Sequence, residues 1–239
     1  EGATTSTGPN SVMQSTLELA AAAPLAINRI LMNDVRKRLG DIRTSQGTSG
    51  GWARYDGGRL SGSAGLENDF HTIQAGVDTV PGDSSIRFGA ALSYTGSEAD
   101  YRRGNADMDL YGLSAYGLWM GEAGQFVDVV GRLASAKTDM TVDGGKKGSM
   151  DNVALSLSGE FGWRFDVSSL FYVEPQVEAT YTFVDAERLE LSDGSSYKFN
   201  DAHSLIGRAG MAFGMKCPNN KGNVYARASA VHEFLGDLR

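Results

Sequence analysis

A single cysteine, Cys217, stands in 239 residues. That excludes a disulfide within the chain and a cysteine-based zinc site. The three histidines, His71, His203 and His232, are far apart, with no spacing suited to a shared metal ion. No metal and no cofactor is expected. Basic runs are missing too: 22 Lys and Arg stand against 29 Asp and Glu, a net charge of −7, which argues against a nucleic-acid partner. There is no phosphate-cradling glycine loop, nucleotide motif or Ser-His-Asp signature. The longest apolar run, Leu19 to Ile27, contains Pro24, whereas a transmembrane helix needs about 20 apolar residues. A membrane is still open to strands, because a transmembrane β-barrel has one polar face and a hydropathy near that of a soluble protein. Proline is scarce at five and glycine abundant at 31, about twice the usual share of roughly 7%. Such chains suit β-structure with many turns. The start, Glu1-Gly-Ala-Thr-Thr, is no signal peptide, so the chain is expected to be a piece of a longer protein.

Residues 1–10 are small and polar and read as a linker. Residues 11–43 carry the strong helical signal: Asn10 or Ser11 can cap the start, Ala20 to Ala23 favour helix, and Arg36, Lys37 and Arg38 complement the dipole of the last turns. Pro24 should divide this stretch. From residue 44 a polar link leads into a different pattern, which fills the rest of the chain. Odd positions from Val153 to Phe165 are apolar or glycine and even ones are polar or small; Phe171 to Phe183 alternates against Tyr172, Glu174, Gln176, Glu178, Thr180 and Thr182. That is the period of a strand with two unlike faces. Nine strands are expected, at 51–61, 68–80, 85–98, 107–120, 125–138, 151–166, 170–187, 197–216 and 222–235. The strand at 107–120 shows no clear register. Lengths of ten or more fit tilted bilayer crossings rather than the soluble norm of about 5–6 residues. Glu174, Gln176 and Glu178 on one face suit a wet lumen, and a slip of one residue would turn that face to lipid.

Several motifs carry a resemblance. Asn33-Asp-Val-Arg-Lys-Arg-Leu-Gly-Asp-Ile-Arg43, followed by Gly51-Trp-Ala-Arg, resembles the junction in type V autotransporters where a pore helix leads into the first barrel strand. Phe126-Val-Asp-Val-Val-Gly-Arg132, Tyr172-Val-Glu-Pro-Gln-Val-Glu178, Leu205-Ile-Gly-Arg-Ala-Gly210 and His232-Glu-Phe-Leu-Gly-Asp237 are similar to the family's later strands, in the family's order. The resemblance implies a twelve-stranded antiparallel transmembrane β-barrel with the N-terminal helix in its lumen. It implies a translocator in the outer membrane of a Gram-negative bacterium, inserted with help from the barrel-assembly machinery. Its partners would be outer-membrane lipid and its own N-terminal passenger. Nine strands against twelve, and an end at Arg239 rather than at an aromatic residue, lead to the expectation of a truncated domain.

The resemblance also implies a site. Some autotransporters release the passenger inside the barrel when an asparagine side chain attacks its own backbone carbonyl. The reacting asparagine of that subset matches Asn33, and the second residue of its Asn-Asn pair is Asp34 here. Two acidic residues facing the pore helix match Glu160 and Glu178; both fall on the polar face, as does Arg208. The plainer reading of these charges is a wet lumen lining. Arg36, Lys37 and Arg38 are expected to pair with lumen carboxylates such as Asp128. Trp52, Trp119, Trp163, Tyr94 and Tyr181 are candidates for aromatic girdles, and Cys217 is given no role. Two other functions stay open from the residues alone: a porin-like or structural outer-membrane barrel without secretion, for which an opening helix has no purpose, and a soluble β-barrel module, which needs an apolar interior.

Overall fold

The computed structural model describes Ile27 and residues 49–61, 67–101, 104–142, 145–185, 188–192, 194, 196–198, 200–216 and 223–235. The strands are β1 (Ser49–Ser61), β2 (Glu67–Thr79), β3 (Ile86–Tyr101), β4 (Gly104–Met120), β5 (Gln125–Val142), β6 (Lys146–Trp163), β7 (Phe165–Asp166), β8 (Phe171–Val184), β9 (Arg188–Leu191), β10 (Ser196–Lys198), β11 (Ala202–Lys216) and β12 (Asn223–Glu233). All belong to one antiparallel sheet, whose main path runs β1-β2-β3-β4-β5-β6-β8-β11-β12. These nine strands correspond to the nine expected ones. The corrections lie at their ends. The expected strands 170–187 and 197–216 are shorter, because the chain between them folds into a separate β9–β10 hairpin that leans on β6 through Gly148↔Leu191 and Ser149↔Glu190. The expected strand 151–166 lapses after Trp163 and resumes as β7 in the same register, from Gly162↔Gln176 to Phe165↔Val173. That register sets Trp163 against Pro175, which has no N–H to contribute to the ladder.

The alternation in the sequence becomes two faces inverted relative to a water-soluble protein. Leu92, Leu113, Leu133, Leu155 and Leu157 are each at least 50% exposed, while Glu160 is 3% and Glu178 7% exposed. The inner face is therefore polar and buried, and the outer face is apolar and bare, which rules out a soluble module with an oily interior. β4 has apolar residues on both faces: Met108, Leu110, Tyr116 and Leu118 point in, and Tyr111, Leu113 and Trp119 point out. A strand with two apolar faces shows no register in sequence. Ile27 is helical and fully buried on the inner side, packed with Met108, Leu110, Ala134, Ala136, Ala154 and Val184. The first strand begins at Ser49, paired with Thr79 beside the β2–β3 turn.

On the outer face an apolar band runs between aromatic residues. From Trp119 to Tyr111 is eight residues along β4, or roughly 27 Å of strand and about 21 Å at a tilt of ~40°, close to the ~25 Å band of outer-membrane barrels once the rings are added. Beyond it the outer face turns charged, in the cross-strand row Arg59, Asp69, Glu98, Asp107 and Asp139. Tyr94 marks the change, its hydroxyl donating to Asp109 at 2.6 Å. Inside the same end, Tyr101 packs on Ala106, Met140, Val142, Met150, Leu189 and Leu191, and burial pushes its phenol up to about 12.

The glycine excess has a spatial meaning. Trp52↔Gly76, Tyr116↔Gly89, Phe126↔Gly162 and Tyr172↔Gly214 are directly opposed inner pairs, in which the ring lies where a Cβ of the glycine would be. Gly214→Val should destabilise the folded barrel by about 1–3 kcal/mol by overpacking against Tyr172. Gly131→Val, where nothing lies within 4 Å of the added Cβ, should stay within about 0.5 kcal/mol of the parent. Denaturant midpoints of the domain refolded into lipid vesicles check both.

Candidate functional site

Strand pairing assembles a charged row on the inner face. Asp128 on β5 is directly opposite Glu160 on β6, Glu160 is opposite Glu178 on β8, and Glu178 is opposite Arg208 on β11. Directly opposed residues have Cβ atoms roughly 4.5–5.5 Å apart, and like charges so placed repel. The row answers this at one end: Arg208 Nε lies 3.7 Å from Glu178 Oε2. The other oxygen of Glu178, Oε1, accepts a hydrogen bond from Thr180 Oγ1 at 2.7 Å. One strand spaces these groups, because residues 174, 176, 178 and 180 share a face at period two. Glu174 on that face is held by Arg164, with Nε and Nη2 2.8 and 2.7 Å from Oε2, and by Gln176 Nε2 at 2.8 Å. The Arg164 guanidinium also covers the Tyr172 ring at 4.1 Å.

A second buried cluster joins four successive strands near the β2–β3 turn. Trp52 Nε1 donates to Tyr116 Oη at 2.9 Å, Tyr116 Oη donates to Asp78 Oδ2 at 3.1 Å, and Arg87 Nη1 meets Asp78 Oδ1 at 2.6 Å. Trp52 is thus a correction to the expected girdle. It occupies an inner position of β1, where Gly76 leaves room for the indole. Of the other girdle candidates, Trp119, Trp163, Tyr94 and Tyr181 do lie on the outer face. Trp163 is tied down by its Nε1–H to the Ala123 carbonyl at 2.7 Å and stacks on Phe165.

The structure brings Glu160, Glu178 and Arg208 together as neighbours, with Asp128 beside them. Asn33, Asp34, Arg36, Lys37, Arg38 and Cys217 lie outside the described residues. Among the described residues there is no group of three or more His, Cys, Asp or Glu arranged to hold a metal ion. Sequence reasoning missed the Trp52–Tyr116–Asp78–Arg87 cluster. Tyr116 sits on the strand at 107–120, which shows no clear register in sequence.

A one-layer antiparallel sheet, polar within and apolar without, is the wall of an outer-membrane barrel. Residues 51–239 match the model of the autotransporter β-domain family. The chain belongs to that family. Its fold agrees with the translocator domain of the autotransporter NalP from Neisseria meningitidis, with a TM-score of 0.76 at 16% identity, covering 92% of this chain and 79% of that one. It agrees also with the β-domain of the Bordetella autotransporter BrkA, with a TM-score of 0.71 at 25% identity, covering 79% and 80%. In sequence it is 30% identical over 210 residues to the serine protease EatA of Escherichia coli O78:H11, covering 85% of this chain but 15% of the relative's length. This translocator domain is an outer-membrane protein of the Gram-negative type.

Proposed function

We propose that this translocator domain carries its own N-terminal passenger to the cell surface and then cuts the chain between Asn33 and Asp34 inside the lumen. Insertion would depend on the barrel-assembly machinery. The observation that carries the cleavage reading is the buried inner row of Asp128, Glu160, Glu178 and Arg208, on the same face of the sheet as the buried Ile27. Reach supports it. Asn33 is six residues after Ile27, and Glu160 is six residues along β6 from Ala154, which packs on Ile27. Six residues of strand cover about 20 Å, or about 15 Å along the pore at a tilt of ~40°. Six residues of chain cover from about 9 Å as helix to about 20 Å extended.

In the reaction, Asn33 Nδ2 attacks the carbonyl carbon of Asn33, forming a C–N bond and a succinimide. The peptide bond to Asp34 breaks, and the Asp34 nitrogen takes a proton and leaves as an amine. Glu178, with Thr180 on its Oε1 and Arg208 near its Oε2, accepts the proton from Nδ2 and gives it to the leaving Asp34 nitrogen. Glu160, directly opposite, orients the amide. The low-dielectric wall and fixed charges replace the serine or cysteine of a conventional protease. The test is to express the domain with its passenger in a Gram-negative outer membrane and read the N-terminus of the barrel by mass spectrometry. The parent should begin at Asp34 and Asn33→Ala should stay uncut. A cut that ignores Asn33 would leave a translocator without intrabarrel chemistry.

A further inference from the structure

We infer that Thr180 is a positioning residue for the lumen reaction, acting through Glu178; this rests on the cleavage proposed above. Thr180 is 1% exposed and opposite Ser158, whose hydroxyl is 3.5 Å from Arg132 Nη1. Its χ1 is restricted by β-branching, and burial between β6 and β11 holds it further, so its hydroxyl is a fixed donor. It gives that donor to Oε1 of Glu178 at 2.7 Å, while Arg208 approaches Oε2 at 3.7 Å. The hydrogen bond fixes one oxygen, and the Arg208 charge attracts the other, so that together they bias the plane of the carboxylate. A terminal carboxyl torsion is otherwise broad. A base that must take a proton from one amide nitrogen works best when its lone pairs point at that nitrogen before the reaction begins.

The experiment follows cleavage by pulse–chase in cells carrying the domain with its passenger. Only barrels that have assembled, judged by heat-modifiable mobility, are counted. Thr180→Val keeps the shape and removes the donor; it should slow the appearance of the Asp34 terminus roughly ten- to a hundredfold. Thr180→Ser restores the donor and should return the rate to within about threefold of the parent. Thr180→Ala, which removes donor and methyl, should match valine. Valine cutting as fast as the parent would overturn the inference while leaving the cleavage reading intact. So would serine and valine being equally slow, since shape and not the hydroxyl would then matter. A parent that does not cut at Asn33 would remove both.

Discussion

Glu178→Gln should slow release of the passenger by about 10²–10⁴-fold, the usual range for loss of a placed general base, while the barrel still assembles. Glutamine keeps the volume of the side chain and a carbonyl oxygen for the Thr180 hydroxyl. It removes the charge and the basicity, and sets an NH2 donor in place of the oxygen that Arg208 approaches. Glu178→Ala would be a poorer probe, because it would also open a cavity beside Arg208, whose side chain is 15% exposed. The loss should appear as uncut full-length chains at the cell surface, with unchanged heat-modifiable mobility of the barrel. Cleavage at the parent rate in assembled Glu178→Gln barrels would take the proton-accepting role away from this residue.

An arginine at Leu157 should block or strongly impair membrane assembly. Leu157 lies on the outer face of β6, opposite Gly131 on β5 and Tyr181 on β8, midway along the apolar run from Val153 to Trp163, and is 58% exposed. At the middle of the apolar band a charge costs about 2–4 kcal/mol, a large share of the roughly 5–15 kcal/mol by which a typical domain is stable. Leu157→Met keeps the surface apolar and should cost less than about 1.5 kcal/mol. Folding equilibria in lipid vesicles give both values. Equal tolerance of arginine and methionine would mean that this face does not meet hydrocarbon.

The inner and outer faces were legible because β6 and β8 each carry seven or so alternations with unlike residues. One polar strand face, once read, places every residue of that parity. Glu160 and Glu178 were legible for the same reason, and their facing positions on adjacent strands follow from the register of β6 with β8. The contact between Arg208 and Glu178 needed only parity and neighbourhood, and it is there. Other features depend on information that a single strand does not hold. β4 is apolar on both sides because its inner residues pack on Ile27 or on Phe126 and Val130. Trp52 turns inward because a glycine faces it from β2, a fact of pairing and not of β1. The lapse after Trp163 falls where a proline stands on the opposite strand. The Asp78–Arg87–Tyr116 cluster joins residues of three strands whose relative register the sequence alone did not fix.

The most direct test of the account measures which face of β6 meets lipid and which meets water. With Cys217 replaced by serine, single cysteines at positions 153 to 160 would be spin-labelled in vesicle-embedded protein and probed with oxygen and with a water-soluble nickel chelate. Oxygen access should peak at 153, 155, 157 and 159. The polar even positions should be shielded from oxygen, with any chelate access confined to them. Alternation of the opposite phase, or no alternation, would contradict the inverted wall on which the lumen site depends.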